Sequence, residues 1–184
     1  MVKNLREIYQ LKVTLKGVKP PIWRRFLVSS SIKLPELHDI LQVVMGWNNA
    51  HLHAFIANSM IYTLPDPMMD SDYGDDETPV RLSTLLRQTS DKLRYEYDFG
   101  DGWRHEIVLE KILPFSAEQP LPFCLKGKRA CPPEDCGGIW GYQDLLQVLQ
   151  DPEHEEHQTL LEWLPENFDP EYFSAEDINA IFHR

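Results

Sequence analysis

The densest group of chemically able side chains is the run Asp98-Phe-Gly-Asp101-Gly-Trp103-Arg-His105. Asp98 and Asp101 could hold a cation and His105 could serve as a general base, provided the fold brings the three together. His51 and His53 stand two apart on an expected strand and would share one face, a spacing that metal sites use. Cys131-Pro-Pro-Glu-Asp-Cys136-Gly-Gly is a Cys-x4-Cys pattern, with Cys124 upstream. Zinc sites built from cysteines usually draw on two such pairs, so zinc, the one cofactor these residues suggest, would need a further His or acid from elsewhere. The alternatives are buried free thiols or a redox-labile pair. Gly137-Gly138, just ahead of an expected helix, could offer backbone amides to an anion. His154-Glu-Glu-His157 has a spacing of three rather than the four of zinc proteases, and reads as a solvated first turn. No nucleophile elbow, phosphate-binding loop or dinucleotide fingerprint is present in the sequence.

The hairpin around Asp101 must position the first group, and its register follows from pattern. A two-residue turn at Asp101-Gly102 would set Phe99 against Arg104 and Tyr97 against Glu106, with charges on the aromatic face. A three-residue loop, Gly100-Asp101-Gly102 with Gly102 left-handed, instead predicts Phe99 opposite Trp103, Tyr97 opposite His105 and Tyr95 opposite Ile107. In that register Asp98 faces Arg104 on the other side of the sheet, so Asp98 and His105 are not partners.

Around this hairpin the chain alternates early. Tyr9, Leu11, Val13 and Leu15 fall on one face, the signature of a half-buried strand. A second strand is expected over about 22–29, after the prolines at 20 and 21 break the first. Leu37, Ile40, Leu41 and Val44 recur at helical spacing between Pro35 and Gly46, which predicts an amphipathic helix over 34–46. Strands at 51–56 and 60–63 and a short helix over 82–88 are expected next. Between them, residues 65–79 carry Asp66, Asp70, Asp72, Asp75, Asp76 and Glu77 among Pro, Gly and Ser, an exposed mobile loop. Counted from Asp70, Gly74 and Asp75 are out of step with a calcium loop. Strands are expected to end at Pro114, an ordered Pro/Gly/Cys connection to follow, and helices near 142–150, 153–163 and 174 onward to close the chain. The fold class is α+β: an antiparallel or mixed sheet of four to six strands, helices packed on one face, and a helical C-terminal region. A single domain over 1–184 is expected, 1–114 mainly sheet plus one long helix and 115–184 the connection and helices.

Composition narrows the setting. With 184 residues, 42% hydrophobic and 11% aromatic, the chain can fill a core and is not globally disordered. It carries no run long and apolar enough for a membrane span and no apolar leader core, and an odd count of three Cys cannot form a disulfide framework. These point to a cytoplasmic protein with no membrane partner. The net charge of −11 is segregated: residues 1–33 hold eight bases and one acid, +7, which leaves −18 for the rest. Lys16, Lys19, Arg24 and Arg25 cluster at the first turn and could contact a partner. The acidic remainder favours a protein partner over nucleic acid.

Five blocks together resemble the plasmid pRiA4b ORF-3-like family. They are Tyr9-Gln-Leu-Lys-Val through Pro-Pro-Ile-Trp-Arg-Arg25, Leu37-His-x-Ile with Met45-Gly-Trp47, and Tyr97-Asp-Phe-Gly-Asp-Gly-Trp103-x-His. The other two are Cys131-Pro-Pro-Glu-Asp-Cys-Gly-Gly138 with Trp140-Gly-Tyr142, and Phe168-Asp-Pro-Glu. The resemblance spans nearly the whole chain and implies a roll-like α+β fold. Its members are mostly uncharacterised, some labelled as mobile-element passengers with a resolvase-like name. It supplies no catalytic residue. A serine recombinase would need an activated Ser with Arg clamps, and no such group stands out. Two readings follow: a non-catalytic binding or accessory module, and a metal-assisted hydrolase using part of the His/Asp/Cys set.

Overall fold

A computed structural model describes residues 7–65 and 74–184. The acidic stretch at 66–73 lies outside the described residues. The fold is α+β, with β1 (Glu7–Leu15) where side-chain alternation places it and β2 (Trp23–Ser29) where a strand was expected after the prolines at 20 and 21. Helix α1 (Leu34–Met45) starts with Pro35 in its first turn and the Glu36 carboxylate accepting the Lys33 amide at 2.8 Å. It ends at Gly46, whose φ of 89° closes the helix in the left-handed conformation. Then come β3 (His53–Ala57), β4 (Met60–Thr63), β5 (Asp75–Asp76), α2 (Leu82–Leu85), β6 (Lys92–Tyr97) and β7 (Trp103–Pro114). An edge strand β8 (Phe123–Lys128) and helices α3 (Gly138–Gln150), α4 (His157–Trp163) and α5 (Ala175–Phe182) complete the chain.

The described strands form one eight-stranded sheet in the order β5-β4-β3-β6-β7-β1-β2-β8, antiparallel except for the parallel β4/β5 pair. This exceeds the expected four to six. Two strands are extra. One is β5, a two-residue pairing with β4 in the stretch expected to be an exposed loop. The other, β8, falls in the stretch expected to be a connection beyond Pro114; its charged, glycine-containing sequence carries little β signal, and pairing with β2 makes it a strand. Its backbone at Cys124 is satisfied by one side chain of α5: Asn179 Oδ1 accepts from Cys124 N at 2.7 Å and Asn179 Nδ2 donates to Cys124 O at 2.9 Å. The helices do not make one layer. The apolar stripe of α1 (Leu37, Leu41, Val44) joins Leu11, Phe26 and Tyr95 in the core, whereas α4 buries no residue fully and packs on α3.

The β6–β7 hairpin differs from expectation in loop length. Tyr97 pairs with Trp103, Tyr95 with His105 and Leu93 with Ile107, so the loop has five residues, 98–102, and Glu96 rather than Asp98 opposes Arg104. Asp98 is the cause: at φ 56° it leaves the strand, its Oδ1 accepts from the amides of Gly100 (2.9 Å) and Asp101 (3.2 Å), and its carbonyl accepts Gly102 N. Gly102 is left-handed as expected, with φ 69°. The face assignment holds, because the register moves by a whole pair and leaves His105 with Tyr97 and Ile107.

Polar groups lie inside the core. His38 stacks on His53 with ring centroids 3.6 Å apart and planes 7° from parallel. Its Nδ1 lies 2.9 Å from Tyr95 OH and its Nε2 2.8 Å from Asn49 Oδ1. Burial, with His53 beside it, pushes the His38 pKa down to about 4, and burial does the same to His105. Both rings are neutral in the fold and gain protons on unfolding below 6.5. Their contribution to stability is complete above pH 6.5, declines as pH falls towards 4 and levels off below it. Urea unfolding should therefore show midpoints that drop over that interval, with a shallower drop in His105→Gln. Identical pH profiles for wild type and variant would contradict the assignment.

Candidate metal centre

Three loop segments meet at one end of the sheet: residues 48–52 before β3, the 98–102 hairpin loop, and the 131–137 segment before α3. The first follows α1, whose Gln42 Oε1 accepts the Asn49 amide at 2.8 Å. The third is docked by Trp47, whose Nε1 donates to Pro132 O at 3.1 Å while its ring stacks on Tyr97 at 4.8 Å. Asp101 ties the second to the third, since its Oδ2 accepts from Gly137 N at 3.2 Å. A Cβ on Gly138, at φ 68°, would meet the Asp101 carbonyl at 2.5 Å, so this approach requires glycine.

At the meeting point His51 faces three carboxylates. Its Nε2 lies 3.0 Å from Asp135 Oδ1, 3.6 Å from Asp98 Oδ2 and 3.8 Å from Glu134 Oε2. His51 Nε2 and Glu134 Oε2 are both shielded from solvent and neither makes a hydrogen bond, so even the 3.0 Å approach to Asp135 is misaligned for one. Asp98 Oδ1 is committed to its loop amides, which leaves Oδ2 for His51. Glu134 is held in the same way: its Oε1 accepts from Asn48 N at 2.9 Å and from Tyr97 OH at 3.0 Å, leaving Oε2 inward. Burial, then the Glu134 bond, holds the Tyr97 hydroxyl well above its usual pKa, so it stays a donor.

The ligand-capable atoms of His51, Asp98 and Asp135 lie within 4.8 Å of one another. Metal–ligand bonds of about 2.0–2.2 Å put opposite ligands about 4 Å apart, so one ion with small side-chain adjustments reaches all three. Asp98 is buried, His51 half-buried and Asp135 exposed, which opens the centre to solvent on the Asp135 side.

Two expected candidates, His51 and Asp98, thus converge; the others do not. His53 points elsewhere, because the strand starts at His53 and His51 precedes it in a bend. Its Nε2 lies 3.1 Å from Glu77 Oε1, a carboxylate expected in an exposed loop and fully buried instead. His105 is buried with Nδ1 3.2 Å from Tyr95 O, inaccessible as a base. Asp101 clasps α3 through Gly137. Cys131 and Cys136 are free thiols pushed up to about 12 by burial, and among the described residues no metal-capable group includes either. Sequence pattern alone does not point to Glu134 and Asp135; the adjacent acids between Pro133 and Cys136 are the available signal.

Of the expected contact residues Lys16, Lys19, Arg24 and Arg25, one is withdrawn from the surface. Arg24 is 3% exposed and donates to the carbonyls of Val44, Trp23 and Lys128 at 2.7, 2.9 and 2.9 Å. Arg25, on the opposite face, is forked onto Glu110 at 2.6 and 2.8 Å. Lys16 lies 3.7 Å from Glu106, and Lys19 stands exposed in the β1–β2 turn.

The plasmid pRiA4b ORF-3-like protein family model matches residues 7–177. The chain is 41% identical over 160 residues to the uncharacterised protein y4hQ of Sinorhizobium fredii, covering 85% of this chain and 80% of that one. It is also similar to the crystal structure of a protein of unknown function, MM3350 from Methanosarcina mazei Go1. That likeness has a TM-score of 0.84 and 38% identity, over 95% of this chain and 98% of the other. Agreement in family pattern, in sequence and in fold over almost the whole length places the chain in the plasmid pRiA4b ORF-3-like family.

Proposed function

We propose that the protein is a metal-assisted enzyme of hydrolase type, its divalent ion held by His51, Asp98 and Asp135 with Glu134 beside them. The observation that carries this is the convergence of three carboxylates on an imidazole nitrogen that has no hydrogen bond. Three carboxylates converging on one imidazole nitrogen are a donor set suited to a dication, and a mixed nitrogen and oxygen set suits zinc, manganese or iron better than calcium. A catalytic ion keeps a position open for water and makes that water a nucleophile near neutral pH. The exposed Asp135 side leaves room for it. The protein's own contribution is preorganisation: loop amides fix Asp98, and Tyr97 with Asn48 fixes Glu134.

A second reading is a non-catalytic binding or accessory module in which the ion clamps three loops. It is favoured by the ligands coming from three segments already cross-tied through Glu134 and Asp101. Three free cysteines suit a cytoplasmic setting for either reading.

Protein purified without a metal-affinity tag should carry about one zinc, manganese or iron per chain. Hydrolysis of ester, phosphoester or peptide probes that is lost on chelation and restored by the metal supports the enzyme. Bound metal with no turnover leaves the clamp, and protein that neither retains nor takes up metal overturns both. Tyr97→Phe, which frees Glu134 from one donor, should weaken metal affinity about tenfold. Competition against a chelating dye measures it, and unchanged affinity would remove Tyr97 from the centre.

A further inference from the structure

The sheet face opposite α1 carries a feature that neither the fold nor the metal centre uses. Ladder registers align Lys92, Val108, Lys12, Arg25 and Lys126 in one row across β6, β7, β1, β2 and β8. Four of the five are cations and none is an acid. Neighbouring strands are about 4.8 Å apart, so the row is about 19 Å long. The adjacent row reads Arg94, Glu106, Thr14, Trp23, Lys128. With Arg104, Lys111, Glu96 and Glu110, the described residues of this face over β6, β7, β1, β2 and β8 hold eight cations against three carboxylates, +5 on a chain of −11.

Like charges directly opposite each other destabilise a sheet, and Lys12, Arg25 and Lys126 sit side by side on three successive strands. The fold compensates only in part. Glu110 takes Arg25, Glu106 lies 3.0 Å from Lys92, and Lys12 and Arg25 lie over the Trp23 ring at 5.1 and 5.3 Å. Lys126 makes no ion pair among the described residues and is exposed, as is Lys128. A row of cations that costs the sheet stability makes sense against an anion. A straight row running across strands is complementary to a linear polyanion of regularly spaced charges rather than to the irregular surface of a folded acidic protein.

We propose that this open face binds a single nucleic-acid strand, its phosphates following the row from Lys92 to Lys126. The sequence alone favours a protein partner because it groups charge by position along the chain; the registers regroup it by face. The proposal stands independently of the metal centre.

The test is fluorescence anisotropy with a labelled single strand of about 20 nucleotides, DNA or RNA, in the presence of a chelator. Binding is expected at about 50 mM salt, with a log–log salt slope of about −3 for four phosphate contacts. The double variant Lys12→Glu/Lys126→Glu should bind at least tenfold more weakly and with a shallower slope, whereas Lys19→Glu, equal in charge change per site but off the face, should change affinity less than twofold. The double variant should also melt no lower than wild type, since it removes the repulsion. Absent binding, equal loss in Lys19→Glu, or poly-glutamate competing as well as the oligonucleotide would overturn the proposal.

Discussion

Asp98→Asn is expected to lower divalent-metal affinity by more than about 100-fold while leaving the fold intact, and His51→Ala to do the same. The asparagine keeps the Oδ1 that accepts the Gly100 and Asp101 amides, so the hairpin loop retains its shape. It removes the charge that Oδ2 presents to His51 at 3.6 Å. Isothermal titration of metal-free protein with zinc or manganese reads the loss, and thermal unfolding without metal reads the fold. Tight binding that survives both substitutions would place the ion elsewhere. As a control, Asp101→Asn keeps an acceptor for Gly137 and should affect affinity far less, because Asp101 faces α3 rather than His51.

The second large effect concerns stability. Arg24→Ala should destabilise the protein by about 3–5 kcal/mol, since it strands buried carbonyls and empties a packed site. The guanidinium bridges α1, β2 and β8 through Val44, Trp23 and Lys128, and lies 4.8 Å from the Phe173 ring centroid. A chain of this size loses about 2–4 °C in Tm per kcal/mol, so a fall of roughly 10 °C or more is expected by calorimetry. Arg25→Ala, which loses a half-exposed pair with Glu110, should cost about 1 kcal/mol or less. Equal effects of the two substitutions would contradict the assignment of Arg24 to the core. The contrast also means that a binding defect in Arg24→Ala says nothing about a binding surface.

The adjacent pair Arg24-Arg25 shows what a sequence conceals. Alternation along a strand sends neighbours to opposite faces, so two basic residues that look like one patch become a core bridge and a surface pair. The same alternation made β1 and the face of His105 legible, and the helical spacing of Leu37, Ile40, Leu41 and Val44 did so for α1. Loop length at 98–102 was not legible: two glycines suggest the tight turn, while the decisive residue is Asp98, whose side chain replaces ladder bonds with its own. Edge strand β8 was hidden because its stability comes from β2 and Asn179 rather than its own pattern. At the centre, His51 and Asp98 were visible one at a time. Their partners Glu134 and Asp135 sit between cysteines that draw the eye to thiol chemistry, and tertiary ties, Trp47 to Pro132, Asp101 to Gly137 and Tyr97 to Glu134, bring those carboxylates to the imidazole.

The most direct test of the metal centre is a crystal of this protein grown with manganese, with data collected at the manganese absorption edge. One anomalous peak is expected among His51 Nε2, Asp98 Oδ2 and Asp135 Oδ1, at bonding distance from each. No peak there, with the imidazole bonded only to a carboxylate, or a peak at Cys131 and Cys136 instead, would contradict this assignment.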